Sequence, residues 1–176
     1  ISGRNIHKYY ITDDVDEYLR YGNWLGAARE KKFFEREKII IRQILAGDDM
    51  RIVAGLSSKS HYFTQIGFSI ISKEGNNQNL KYLISVLNSS TITFYHKNKF
   101  LDLQKRAFQR ILIGNCKVFP VKNISENSQR PFIYFVDIII KLKKNMETVI
   151  SSFFERLLDG MVYELYFPDE LKADKC

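Results

Sequence analysis

The sequence predicts an α+β fold: a small mixed, largely antiparallel sheet with packed helices, followed by a C-terminal helical hairpin. Three observations predict it. The run KIIIRQI at residues 38–44 is rich in β-branched side chains, the composition of a central strand. Leu80, Leu83, Ile84, Leu87, Thr91 and Phe94 fall at the i, i+3, i+4, i+7 spacing of one helical face. Between Met146 and Leu165 apolar residues keep a three-four alternation through about five turns, which describes a long amphipathic helix.

Taken in order, residues 6–11 alternate loosely and are rich in Tyr, which suits a short strand entering the domain. Asp13, Asp14, Asp16 and Glu17 form an acidic connector; no glycine-containing calcium loop follows at the required spacing, so a solvated turn is expected. Residues 29–38 set Phe33 and Phe34 among mixed charges and predict a surface segment with its two rings turned inward. The strand at 38–44 closes with Arg42 and Gln43, placed at a sheet rim by the turn through Ala46, Gly47, Asp48 and Asp49. Residues 50–55 and 62–72 read as two further strands, joined by a loop at 56–61 with Ser57, Ser58, Lys59, Ser60 and His61 at its tip. Short turns make antiparallel pairing the economical topology.

The helix beginning at Leu80 should fray near Asn98, and residues 111–113 and 116–121 read as short strands. After a polar linker at 125–130, Pro131 sits at a helix first-turn position, and Lys141, Lys143 and Lys144 complement the dipole at the end of the apolar helix 132–144. The long second helix ends before Pro168 and is weakened only at Gly160, by about 1 kcal/mol relative to Ala. The expected division is an α/β domain over residues 1–125 and a helical hairpin over 126–176 that acts as spacer or docking element.

With 176 residues, 45% of them apolar and 14% aromatic, the chain can bury one sizeable core. Its net charge of +7 and pI near 9.3 favour a polyanionic partner, nucleic acid first and an acidic membrane surface second. Much of that charge lies in residues 80–110, where Lys81, Lys97, Lys99, Lys105, Arg106 and Arg110 face only Asp102. Cys116 and Cys176 form no CxxC pair and His7, His61 and His96 are scattered, so no metal cluster is expected and a reduced, cytoplasmic setting is the simple inference. The longest apolar run, near residues 132–140, is interrupted by Asp137 and is too short to span a bilayer; no membrane partner is expected. The chain opens at Ile1 in mid-pattern, as a piece of a longer polypeptide would.

Catalytic motifs are not found. There is no GxSxG elbow, GxGxxG or GxxxxGK[ST], and no cysteine lies in an active-site context, so no catalytic residue is assigned. Pro168, Asp169, Glu170 and Lys172 share letters with a PD…(D/E)xK nuclease centre. In such a centre the acidic positions come from separate strands, whereas here they are adjacent where a proline ends a helix. The basic features are better candidates. Arg and Gln make bidentate contacts to guanine and adenine edges, while Lys mostly finds phosphates. Arg42, Gln43, Ser58, Lys59 and His61 are therefore expected to read bases, and Lys97, Lys99, Lys105, Arg106 and Arg110 to hold phosphates, on one concave positive surface.

The order GRNIHKYYI, REKKFFEREKIIIRQI, RIVAGLSSKSHYFTQIGFSII, NLKYLISVLNSSTITFYHKNKF, FQRILIGNCKVFPV and LLDGMVYELYFPDEL resembles the TaqI-like C-terminal specificity domain. This is the target-recognition domain at the end of adenine-specific DNA methyltransferases and type IIG restriction-modification enzymes; type I specificity subunits are similar in architecture. The resemblance covers nearly the whole chain, with the LNS…FY helix and the VYELY ending as its most specific pieces. It implies a non-catalytic domain that reads a short sequence of double-stranded DNA. The parent would be a site-specific adenine methyltransferase and, in the type IIG case, a restriction endonuclease as well. S-adenosylmethionine, with Mg as a further candidate, would belong to an N-terminal methyltransferase/nuclease region of the same chain; this chain contains no NPPY-type motif. The alternative from another class is a protein-interaction module whose working surface is the C-terminal hairpin.

Overall fold

The computed structural model describes residues 1–15, 18–26, 28–45, 50–73, 75–76, 78–102 and 109–173. Its centre is a four-stranded mixed sheet. The strands are β1 (Tyr9–Tyr10), β2 (Lys38–Arg42), β3 (Ala54–Ser57) and β4 (Gly67–Ile71), in the order β1-β3-β2-β4. β2 runs antiparallel to both β3 and β4, whereas β1 lies parallel to β3 with Tyr9 opposite Gly55. The α+β expectation is met, including the mainly antiparallel pairing.

β2 is buried on both faces, which is why its sequence runs apolar without alternation. Ile39 and Ile41 face a large core with Ala54, Phe68, Tyr82 and Ile84, while Ile40 faces a smaller one with Ile6, Phe34, Val53 and Phe63. The smaller core is covered by the short helix α1 (Lys32–Glu35), which turns Phe34 fully inward and Phe33 partly. Two close approaches hold the sheet together. A Cβ on Gly55 would meet the Tyr10 carbonyl oxygen at 2.7 Å, and one on Gly67 the Ile41 carbonyl oxygen at 2.5 Å.

The helix expected from Leu80 is two helices, α2 (Leu80–Leu87) and α3 (Ser90–Phe100). The break falls between Asn88, which is still helical, and Ser89, which is extended. The Asn88 side chain bonds Ala54, and Ser89 caps α3 by accepting from the Ile92 N–H. Phe94, expected on the apolar face, is largely exposed. Residues 113–117 form a helical turn, α4 (Ile113–Lys117), instead of strand; Leu112 and Ile113 are exposed, and only Ile111 is drawn into the core.

The supposed linker at 125–130 is the first turn of α5 (Glu126–Lys144), capped by Ser125, so Pro131 lies inside the helix. Its ring has no N–H to give to the carbonyl four residues back. A turn at Asn145 and Met146 leads into α6 (Thr148–Tyr166), and Pro168 opens the short α7 (Pro168–Ala173) with Asp169 and Glu170 in its first turn. α5 and α6 form the expected hairpin, joined by the Phe135–Phe154 ring contact and the Lys143–Glu155 ion pair at 2.6 Å. Phe132, Val136, Ile139, Leu158 and Val162 from this hairpin belong to the same core as Ile39 and Ile41. Among the described residues no helix is long and apolar enough to cross a membrane.

Candidate nucleic-acid interface

The length of β2 separates the candidate residues into two groups. Lys38 at one end is opposite Ser57, and Arg42 at the other is opposite Gly67. Four residue steps along a strand span about 13 Å. Arg42 and Gln43 therefore occupy one rim, and the loop bearing Ser58, Lys59 and His61 leaves the other.

At the first rim the chain after α3 returns to the sheet. The Gln43 N–H donates to Ile66 O at 2.8 Å, and its carbonyl accepts from the Ile111 N–H at 2.9 Å; the Leu45 N–H donates to Gln109 O at 3.1 Å. Ile44 forms a bridge with Arg110. Arg42 donates from Nε to Ile44 O at 3.0 Å, which aims its guanidinium along this rim. Gln109 Nε2 donates to Asp102 O at 2.6 Å, drawing the end of α3 to the same place. Arg42, Gln43 and the exposed Arg110 are thus brought together; Lys97 and Lys99 lie on the last turn of α3, where Lys99 lines a groove with Pro120, Asp159 and Tyr163. Lys99 Nζ donates to Tyr95 Oη at 2.7 Å and lies over the Tyr95 ring. Lys105 and Arg106 lie outside the described residues. His7, stacked on Tyr10, adds to this side; burial, then the charges of Lys143 and Arg42, hold its pKa below the ordinary histidine value.

The second group is a bonded loop rather than a set of free side chains. His61 Nε2 lies 2.9 Å from Asp13 Oδ1, and Nδ1 lies 2.7 Å from Ser57 Oγ. The carboxylate can only accept, so Nε2 carries the proton and Nδ1 accepts from the Ser57 hydroxyl. Lys59 Nζ pairs with the second oxygen of Asp13. From beneath, Lys38, a fully buried lysine at the start of β2, donates to Lys59 O at 2.6 Å and Arg36 O at 3.1 Å. Burial pushes the Lys38 pKa down to about 8. Burial also lowers the His61 pKa, against the raising effect of Asp13, while the hydrogen bonds from Lys59 and His61 hold the Asp13 carboxyl below its usual range. Ser58 is exposed at the tip.

Ser57, His61 and Asp13 have the connectivity of a nucleophile, base and orienting acid, but Ser57 is buried and its Oγ already accepts from the Lys59 N–H at 3.2 Å. The arrangement fixes a loop; it does not present a nucleophile. Sequence reasoning read Asp13 as a solvated turn and Lys38 as an ordinary strand residue. Asp13 is 46 and 48 residues from its partners, a separation no local pattern signals. Lys38 had a faint signal, a lone lysine leading directly into three isoleucines.

The family model for the TaqI-like C-terminal specificity domain matches residues 1–121, which include both rims of the sheet. The chain is also 25% identical over 180 aligned positions to a Methanocaldococcus jannaschii protein named as a putative type II restriction enzyme and methyltransferase. That alignment takes in 94% of this chain, which spans 15% of the length of the curated relative.

Proposed function

The chain belongs to the TaqI-like C-terminal specificity domain family, and from that membership we propose that it reads a short DNA sequence and positions a separate methyltransferase or endonuclease region on it. The observation that carries this reading is the convergence of Arg42, Gln43 and Arg110 on one rim within the matched segment. Arg42 and Gln43 have the chemistry to probe base edges in the major groove, and Lys97, Lys99 and Arg110 to hold phosphates on either side. The loop carrying Ser58, Lys59 and His61 contacts the duplex farther along. S-adenosylmethionine supplies the methyl group in the parent's catalytic region, outside this chain.

The exposed apolar residues Val149, Ile150 and Phe153 on α6 favour a second role for the hairpin, docking against the remainder of the parent enzyme. The test of the main reading is binding of the full-length protein to duplex DNA over a salt series. Affinity should fall steeply, with log K changing by about −0.9 per log unit of salt for each neutralised phosphate. Binding without salt dependence would overturn it.

A further inference from the structure

The two oxygens of Asp13 are each occupied by a different group from one loop, Lys59 Nζ on one and His61 Nε2 on the other. A nucleic-acid phosphate also presents two non-bridging oxygens of like charge character, and ammonium and imidazole N–H groups bind either anion with the same geometry. We propose that Lys59 and His61 form a paired donor site for a DNA backbone phosphate, and that Asp13 fills this site when no DNA is bound. The inference rests on the DNA-recognition reading given above.

Three features make the site a built one. The loop is held independently of Asp13: Lys38 bonds the Lys59 carbonyl from below, Ser57 bonds His61 Nδ1, and the His61 N–H donates to Phe34 O at 3.1 Å. Withdrawal of the carboxylate therefore leaves the loop backbone and the His61 ring in place and frees the Lys59 ammonium to meet a phosphate beside it. The His61 side chain is 11% exposed, with its Nε2 edge toward Asp13, so the ring has one direction in which to donate. The ion pair is itself easily exchanged, because Lys59 and Asp13 are 67% and 52% exposed and water screens such a pair strongly.

The competition has a purpose for a specificity domain. Every phosphate that takes this site must displace Asp13, which weakens binding to any duplex by the same factor. Such a uniform penalty leaves the ratio between target and random DNA unchanged and lowers the absolute occupancy of random duplexes, which have no base contacts to add.

The experiment uses the full-length protein and non-target duplex DNA. Asp13→Asn should raise the affinity about two- to fivefold, the equilibrium equivalent of one exposed ion pair. In a Lys59→Met background the same change should have a clearly smaller effect, since one of the two phosphate donors is gone and only His61 Nε2 remains. An equal gain in both backgrounds would mean a general charge effect and would overturn the proposal, as would a loss of affinity in Asp13→Asn with an unaltered melting temperature. A second measurement needs no DNA: acylation of the Lys59 amine, followed by mass spectrometry, should be faster in Asp13→Asn than in wild type and restored toward wild type in Asp13→Glu. An unchanged rate would overturn the contact itself. Faster acylation together with DNA binding that lacks salt dependence would instead overturn the DNA reading, and with it the identity of the phosphate.

Discussion

Asn88 satisfies both main-chain groups of Ala54, accepting from its N–H at Oδ1 and donating to its carbonyl from Nδ2, each at 2.9 Å. Ala54 opens β3 just beyond the reach of β1, so a side-chain amide stands where a neighbouring strand's peptide would be. Asn88 keeps helical backbone as the C-cap of α2, and the chain leaves the helix at the next residue, Ser89, which is extended and caps α3. One residue thus fixes how α2 and α3 sit on the sheet edge.

Asn88→Ala should cost about 2–4 kcal/mol, because two buried main-chain groups lose their partners. Chemical denaturation measures it, and Asn88→Asp, which keeps only the acceptor, should recover at most part of the loss.

Gly55→Ala should detach β1. The new methyl would meet the Tyr10 carbonyl oxygen and Ile11 Cγ1, both at 2.7 Å, and backbone cannot give way as a flexible side chain can. A loss of about 1–3 kcal/mol is expected, with hydrogen exchange accelerated selectively at residues 9–11.

Lys38 gives the domain a pH signature on the alkaline side. Its folded pKa, near 8, lies below the ordinary 10.5, so between these values the unfolded chain binds more protons and stability rises with pH. Wild type should gain stability from pH 8 to about 9.5 relative to Lys38→Met, measured by denaturant midpoints. Parallel pH profiles would show that Lys38 is solvated.

His7, His61 and His96 are all held below their ordinary value, with burial the largest cause in each. Below pH 6.5 the unfolded chain takes up protons that these rings resist, so stability should fall as pH drops from 7 toward 5. His96 is fully buried between Phe100 and Phe119, and its Nδ1 has no hydrogen-bond partner among the described residues. His96→Phe should flatten part of that slope.

Two substitutions divide the roles proposed for the rim of Arg42 and Arg110. If Arg110 holds a phosphate as proposed, Arg110→Ala should reduce the salt slope by about 0.9 and weaken all duplexes alike. If Arg42 reads a base as proposed, Arg42→Ala should instead relax discrimination at one base pair by about 1–3 kcal/mol. A competition assay across single-base variants of the target separates them.

What was legible in the sequence follows how far each determinant lies along the chain. The isoleucine run of β2 and the apolar stripe of α6 carry their own periodicity, so strand and helix were both evident. The break at Ser89 was not, because apolar spacing that continues to Thr91 and Phe94 hid a serine cap in the middle of the pattern. Residues 125–130 look like a linker by composition, yet Ser125 is a cap and Glu126 a first-turn acid, so those polar residues begin a helix. At the candidate site the cations were visible from the start, but the separation of Arg42 from Lys59 comes from strand register, and the occupied state of Lys59 comes from Asp13.

The core shared by sheet and hairpin sets the unit in which this domain can be moved. Val136, Ile139, Leu158 and Val162 are fully buried, yet they lie beyond the segment matched by the family model, and they pack in one cluster with Tyr82 and Ile84 of α2. A graft that stopped near residue 121 would leave that face of α2 bare to water. Chimeras that exchange recognition between enzymes should therefore carry the chain through α6, with the crossover placed after Tyr166 and not at the edge of the sequence similarity.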